Sequence, residues 1–200
     1  MIPRVPQRKV EPEGRCVIRR AGPGDFELIR SHYATTHAAH AAGMPQMFGP
    51  MDGMDFPFEH FMSYLEDENT LMLVAELEGF AAGSIFASIR ASSGANGYRA
   101  DRTMHIHNVT THPTMRRRGV ARALVGAAAE WAAGREVANV ELIVWSFNET
   151  AIALYRSLGL TPAFTGMTIP SSELVARLGT GRLPPARPQR SWLSRLLGWR

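Results

Sequence analysis

The sequence predicts a single α/β domain with a mixed sheet, and three observations support this fold class. Apolar residues make up 45% of the 200-residue chain, which is enough for a core of ordinary size. Short apolar runs typical of strands alternate with longer segments of helical period. The predicted order is strand, two helices, three strands, helix, strand and helix, with a short last strand near residues 164–169.

The first half of the chain predicts strands and helices separated by clear breaks. Residues 15–20, RCVIRR, alternate in polarity as a strand does, and the turn over residues 22–25, GPGD, ends that strand and caps a helix over 26–39. The Met-, Phe- and Gly-rich residues 41–57 have no period and predict a loop. The following segments predict a short helix at 58–66, strands at 70–77 and 80–90 joined by a tight turn at Glu78-Gly79, and a flexible hairpin loop at 91–101.

The second half predicts strands and helices in alternation. Residues 103–111, TMHIHNVTT, predict a strand, and a helix over 117–134 follows and stops at Gly134. Residues 137–146, VANVELIVWS, predict a buried strand. The last helix, NETAIALYRSLG, is capped by Asn148 and ended by Gly159.

Composition and charge indicate which partners and which cell compartment to expect for this protein. The net charge of +4 comes from the two ends, because residues 1–20 and 171–200 together hold twelve basic and three acidic groups, whereas residues 21–170 hold ten basic and fifteen acidic groups. Basic ends beside an acidic body are typical of solvated tails, so we expect neither nucleic acid nor a membrane surface as a partner. One cysteine and no apolar run of about 20 residues favour a cytoplasmic protein, and the excess of arginine over lysine is typical of a GC-rich bacterial genome.

Residues 115–124, MRRRGVARAL, place three arginines and a glycine between a strand and the first turn of a helix. The first N–H groups of a helix have no partners within it and the helix dipole is positive there, so an anion finds donors in place. Gly119 permits a positive φ or a close approach of the backbone, and the small Ala121 leaves room for a phosphate. Arginines at this end of a helix are unfavourable unless a polyanion binds. The stretch therefore predicts a cradle for a diphosphate, and it is not a P-loop because no lysine and serine or threonine follow the glycine.

The pattern R-x-x-G-x-A, here Arg116 to Ala121, resembles the acyl-coenzyme A pyrophosphate loop of the GNAT superfamily of N-acyltransferases. The preceding THP, the strand VELIVW and the pattern N-x-x-A-x-x-x-Y-x-x-x-G-[FL] from Asn148 to Leu160 also resemble that family in order and separation. The resemblance covers residues 16–169 and implies a GNAT-like fold whose central, mostly antiparallel sheet splays between its fourth and fifth strands. We expect a disordered basic segment at 1–14, the acetyltransferase domain at 15–170, and a basic tail with a short amphipathic helix at 171–200.

The resemblance also implies where acetyl-CoA binds. The pantetheine would lie in the splay, paired with backbone groups of Val109 and Thr111, and Asn148 would contact the cofactor as well as cap its helix. The pyrophosphate would lie on the backbone N–H groups of Arg116, Arg117, Arg118, Gly119, Val120 and Ala121. No metal is expected, because the helical histidines 32, 37 and 40 have no acidic or cysteine partners in the pattern.

Tyr155 lies where many members of the family place a general acid, which would protonate the departing thiolate. The alternative is a packed aromatic residue one turn before the glycine stop. His105 falls where the histone-acetylating branch carries its glutamate, and His107 lies two residues on, on the same strand face, so both are candidate general bases. The sequence leaves open which of them acts. The catalytic glutamate of the ribosomal-protein N-terminal acetylating branch would fall at Ile143, so that substrate class is not expected.

Together these features predict an N-acetyltransferase in which a primary amine attacks acetyl-CoA directly in a ternary complex. Residues 41–57 and 91–103 would wall the acceptor cleft, and their composition favours a partly apolar small molecule over a protein, with polyamines, aminoglycosides and protein lysines still open. An acyl-CoA-binding regulatory module without turnover is the alternative, and an adaptor that uses its basic ends is a third hypothesis. The oligomeric state is open, a homodimer included.

Overall fold

A computed structural model describes residues 16–49, 56–94 and 99–179. These residues belong to two compact units, and the boundary between them falls between Thr161 and Pro162. The described part of the first unit holds the sheet and four α-helices. The described part of the second unit contains one helix, α5 (Ser171–Leu178).

The elements of the first unit follow the predicted order. Its strands are β1 (Val17–Arg20), β2 (Thr70–Leu77), β3 (Phe80–Ala91), β4 (Arg102–Thr111) and β5 (Asn139–Leu142). Its helices are α1 (Phe26–Gly43), α2 (Phe58–Glu66), α3 (Val120–Ala133) and α4 (Glu149–Ser157). The tight turn between β2 and β3 is confirmed, because Glu78 and Gly79 have φ angles of 55° and 80°, which a two-residue hairpin of this kind requires.

The five strands form one sheet in the order β1-β2-β3-β4-β5. All neighbours are antiparallel except β4 and β5, which are parallel. The pairing of β4 with β5 covers only Thr103–Ile106 against Asn139–Leu142, whereas β4 continues to Thr111. The strands therefore part beyond Ile106, and the predicted class of mixed, mostly antiparallel sheet with flanking helices is confirmed.

The two faces of the sheet carry separate cores. On one face, α3 packs Val120, Leu124 and Ala128 against apolar residues of β2, β3 and β4. On the other face, Ile29 of α1 and Phe61 of α2 pack with Met72, Val74 and Phe86. The alternation of side chains along each strand supplies both layers.

Two strand predictions are wrong: one strand is shorter than predicted, and the other is absent. Residues 137–146 do not form one long buried strand, because only Asn139–Leu142 pair with β4 and two of these four residues are exposed. Residues 162–170 of the second unit form no strand, and Phe164 and Met167 are 71% and 95% exposed. An alternating pattern specifies a strand only where a neighbouring strand accepts its hydrogen bonds.

Several predictions fall outside the described residues. They are the basic segment at 1–14, the last part of the tail from residue 180, and parts of the two loops, at 50–55 and 95–98. Within the described ranges, no helix has both the length and the apolar character that a membrane crossing needs.

Candidate active site

Strand β4 carries one extra residue relative to β3. Phe86 pairs with Asn108 and Ala87 pairs with Ile106, so His107 is inserted between them as a β-bulge. Before the bulge, Met104 and Ile106 face the core under α3. After it, Val109 is the residue that packs against that core. The bulge thus exchanges the faces of the residues that follow it.

Beyond the bulge, one edge of β4 is open. His112 N–H donates to the carbonyl of Ala82 at 2.8 Å, so Thr110 lies at a hydrogen-bonded position against β3 and Val109 and Thr111 do not. The backbone N–H and C=O groups of Val109 and Thr111 therefore point away from β3, toward the side where β5 has ended. A ligand with amide groups can pair with this edge as a strand would.

Helix α3 begins close to this edge because Gly83 has no side chain. A Cβ on Gly83 would lie 2.5 Å from the carbonyl oxygen of Thr110 and 3.0 Å from Cγ1 of Val120. Val120 is the first residue of α3 and is 1% exposed. The glycine in β3 therefore sets how near the start of the helix comes to the open edge of β4.

The loop before α3 has alternating signs of φ. Arg116 has a φ of −64°, Arg117 of 62° and Gly119 of 83°, and Arg118 between the last two is outside the positive region. The left-handed conformation of Arg117 and Gly119 bends the backbone of this loop sharply, and turns of this kind can direct successive N–H groups toward one side, where an anion binds. The N–H groups of Arg117, Arg118 and Gly119 have no acceptor among the described residues, and the first turn of α3 adds its own unpaired donors. A Cβ on Gly119 would meet open space, so the loop is open on that side.

The three arginines of the loop have different surroundings. Arg118 forms an ion pair with Glu78 in the β2–β3 turn, which ties the loop to the hairpin. Arg116 and Arg117 are exposed and form no ion pair with the described residues. These two side chains are therefore available to an anion bound on the loop.

Asn148 and Tyr155 lie at the two ends of α4. The side-chain oxygen of Asn148 accepts the N–H of Ala151 at 3.1 Å, which confirms the predicted helix cap. Tyr155 packs against the core under α3, as Val109 and Leu142 also do. Burial raises the pKa of its phenol, and its hydroxyl forms no hydrogen bond within the described residues. The ring is thus fixed by packing, and the hydroxyl remains available as a donor.

A buried polar network joins α1 to the end of β4. His32 Nδ1 lies 2.7 Å from Ser84 Oγ, and Thr36 Oγ1 lies 3.1 Å from Asn108 Oδ1 and 2.9 Å from Thr110 Oγ1. Burial lowers the pKa of His32, followed by the effect of His112. The network fixes α1 against the end of β4, where the edge of the strand that faces away from β3 is open.

His105 and His107 lie side by side on the face that α1 and α2 cover. Their ring centroids are 4.8 Å apart, so the predicted placement on one strand face is confirmed. His107 stacks on Phe86 with centroids 4.6 Å apart, and its Nε2 lies 2.7 Å from Ser88 Oγ. His107 is an exposed residue. Partial desolvation of its ring lowers its pKa to about 4, with smaller contributions from the nearby His105 and Arg90. His107 is therefore uncharged at neutral pH.

His105 has a carboxylate neighbour that the sequence did not reveal. Glu141 of β5 pairs in register with His105, and its Oε1 lies 3.2 Å from His105 Nδ1. The signal was faint because Glu141 comes 36 residues later and is one acidic residue in a short strand. Only the parallel register of β4 and β5 brings the two together.

An aromatic cluster joins the end of α1 to the segment that follows β5. Phe48 lies 5.1 Å from the rings of both His40 and Trp145, and Phe147 lies 6.1 Å from His40. Gly43 makes this contact feasible, since a Cβ there would lie 2.4 Å from the Phe147 ring. These four half-buried side chains, His40, Phe48, Trp145 and Phe147, form an aromatic wall that joins the end of α1 to the residues after β5. No group of three or more potential metal ligands occurs in the described ranges.

The model of the Acetyltransferase (GNAT) family matches residues 39–160, which is more than half of the chain. The chain belongs to the GNAT acetyltransferase family. No curated protein matches this GNAT chain. GNAT acetyltransferases use acetyl-CoA, and the open edge of β4 and the donor loop before α3 fit an amide chain followed by a diphosphate.

Solved structures have the same fold as this GNAT protein. A mutant of the BH1408 protein from Bacillus halodurans superposes with a TM-score of 0.72 at 22% identity, over 77% of this chain and 98% of that one. The structure of AAC(6')-Iy in complex with the bisubstrate analogue CoA-S-monomethyl-acetylneamine superposes with a TM-score of 0.62 at 18% identity, over 78% of this chain and 98% of that one. An aminoglycoside acetyltransferase from an uncultured soil metagenomic sample, in complex with trehalose, superposes with a TM-score of 0.58 at 16% identity, over 77% of this chain and 93% of that one.

Proposed function

We propose that this GNAT protein transfers the acetyl group of acetyl-CoA to a primary amine of a small molecule, by direct attack in a ternary complex. The observation that carries the proposal is the course of β4. Its open edge at Val109 and Thr111 leads into the donor loop, and the middle of the strand presents His105 and His107. The edge proposed for the cofactor and the two candidate bases therefore belong to the same strand.

The chain holds acetyl-CoA mainly through its backbone in this proposal. Val109 and Thr111 pair with the pantetheine amides, and the N–H groups from Arg116 to Ala121 receive the pyrophosphate. The exposed side chains of Arg116 and Arg117 add positive charge, while Arg118 holds the loop through Glu78. Asn148 uses its oxygen for the cap, which leaves its NH₂ group for the cofactor.

Acetyl-CoA supplies the acetyl group as an activated thioester. One or both of His105 and His107 remove a proton from the acceptor ammonium, directly or through water, so that the nitrogen can attack. Tyr155 donates its hydroxyl proton to the departing thiolate. Its raised pKa keeps the phenol protonated at neutral pH, as a general acid requires.

The surroundings support a small amine with an apolar part as the acceptor. The aromatic cluster of His40, Phe48, Trp145 and Phe147 offers ring faces and edges, which bind apolar groups and attract cations. The named aminoglycoside acetyltransferases among the structural neighbours are consistent with small-molecule amines as a class. We place the protein in the cytoplasm, where acetyl-CoA is available and a single cysteine stays reduced.

An acceptor screen tests the proposal. Purified protein is mixed with acetyl-CoA and arylalkylamines, alkylamines, polyamines, aminoglycosides or lysine peptides, and the free thiol of CoA is measured. Thiol release with a small amine, together with the acetylated product by mass spectrometry, is the expected result. Binding of acetyl-CoA without turnover of any amine would favour the alternative, an acyl-CoA-binding regulatory module.

A further inference from the structure

His105 and Glu141 form a contact that constrains the proton on the imidazole. The side chain of His105 is 14% exposed and that of Glu141 is 57% exposed, and the two atoms in contact are Nδ1 and Oε1, 3.2 Å apart. An ionised carboxylate can only accept a hydrogen bond. The contact is therefore a hydrogen bond only when Nδ1 of His105 carries the proton, and a neutral ring then keeps its lone pair on Nε2.

His107 has partners of a different kind. Its Nε2 lies 2.7 Å from the hydroxyl of Ser88, and its ring is stacked on Phe86 at an interplanar angle of 21°. A hydroxyl can donate or accept, so it does not fix the tautomer of His107. The low pKa of about 4 also makes His107 a weak base at neutral pH.

We infer that Glu141 is a positioning residue that holds His105 with Nδ1 protonated, so that Nε2 of His105 is the atom that takes the acceptor's proton, with His107 a neutral neighbour. This assignment rests on the proposed function and decides between the two histidines. Among the described residues, the charged and titratable groups that contact His105 are Glu141 from β5 and His107 on its own strand, and Arg90 from β3 acts on His107. The ring of Phe86, on which His107 is stacked, also contacts Tyr64 of α2, and the centroids of the Phe86 and Tyr64 rings are 4.9 Å apart.

The protons balance through these groups. The acceptor ammonium gives one proton to His105 Nε2, its nitrogen pair forms the new C–N bond, and the C–S bond breaks. The departing thiolate takes the hydroxyl proton of Tyr155. The second proton that leaves the nitrogen restores Tyr155, and the proton on His105 passes to solvent. Glu141 remains the acceptor of the Nδ1 hydrogen bond and lies opposite the charge that His105 acquires.

Nuclear magnetic resonance tests the tautomer without any turnover. The protein contains seven histidines, and in a sample labelled with ¹⁵N-histidine the His105→Gln variant identifies the signals of His105. At about pH 9, well above the usual imidazole range, wild type should show His105 protonated on Nδ1. The Glu141→Ala variant should move it toward the Nε2-protonated form. An Nε2-protonated His105 in wild type, or a pattern unchanged by Glu141→Ala, would overturn the inference even if acetyl transfer is confirmed.

Kinetics then test whether Glu141 acts through His105. Glu141→Ala should lower kcat by about 10- to 100-fold, the range known for groups that orient metal-bound histidines, with the KM for acetyl-CoA unchanged. Combining it with His105→Gln should cause no further loss, since the two residues act as a unit. Additive losses in the double variant would refute the assignment.

A matched control separates this effect from a general change in charge. Glu130→Gln removes a carboxylate from the exposed face of α3, on the other side of the sheet, and should leave kcat and the tautomer of His105 unchanged. Because Glu141 is mostly exposed, its variants should unfold at the same denaturant concentration as wild type. A Glu130→Gln variant that matched Glu141→Ala in both readouts would count against a specific role for Glu141.

Discussion

Replacing Gly119 with alanine separates the conformation of the donor loop from its contact with the cofactor. Gly119 has a φ of +83°, and a Cβ there would meet no protein atom within 4 Å. The methyl group therefore causes strain but no clash within the protein, and the left-handed conformation costs about 1–2 kcal/mol for a residue with a side chain. For a protein of this size, we expect the melting temperature to fall by about 2–8 °C.

Two other glycines provide controls with the same strain. Gly79 has a φ of +80° and Gly159 of +92°, and a Cβ at either position would also meet open space. Gly79→Ala and Gly159→Ala should therefore destabilise the protein as Gly119→Ala does. Only Gly119→Ala should weaken acetyl-CoA binding, by about 10-fold or ~1.4 kcal/mol, because the methyl group would occupy the space proposed for the pyrophosphate.

Titration calorimetry on the folded variants decides the outcome. Gly119→Glu places a carboxylate in the same space and should abolish measurable binding, since its charge repels the diphosphate. Unchanged affinity in a folded Gly119→Glu variant would refute the cofactor site. Equal losses of affinity in all three alanine variants would show that strain, and not contact with the cofactor, is responsible.

Three further predictions concern the catalytic groups and the acceptor. Tyr155→Phe retains the packed ring and should lower kcat on the order of 10²-fold at unchanged acetyl-CoA affinity, whereas near-normal turnover would make Tyr155 structural. Because the pKa of His107 is lowered to about 4, the unfolded chain binds more protons there between about pH 4 and 6.5, so the free energy of unfolding should fall as the pH drops through this range. Denaturant titrations should show a shallower fall in His107→Gln, and an equal slope would contradict the assigned cause. Phe48→Ala should raise the KM for arylalkylamines several-fold more than the KM for polyamines, and a uniform change across acceptors would count against the aromatic wall.

Features set by neighbouring residues were predictable from the sequence. The cap of α4 depends on Asn148 and an N–H three residues on, and the β2–β3 turn depends on the Glu78-Gly79 pair. The side-by-side placement of His105 and His107 follows from the two-residue period of a strand. In each case, the interacting groups are close in the chain, so the local pattern contains the information.

Features set by distant residues were not predictable. The contact of His105 with Glu141 depends on the register of two parallel strands, and the contact of Phe48 with Trp145 depends on where α1 ends relative to β5. The predicted strand near residues 164–169 fails for the related reason that alternation alone does not provide a partner strand. The ion pair of Arg118 with Glu78 likewise joins a loop and a turn 40 residues apart.

The extra residue in β4 decides which side chains the end of the strand presents to each face of the sheet. If the same residues paired with β3 without a bulge, Asn108 and every later residue of the strand would shift to the opposite face. Val109 would then leave the α3 core, and the side chains of Asn108 and Thr110 would leave the network with Thr36. Deleting His107 would instead restore a regular ladder, because Ile106 and Asn108 already pair with the consecutive residues Ala87 and Phe86. A β4 that is one residue shorter at this point would therefore keep the orientation of its open edge and lose only His107 from the histidine pair.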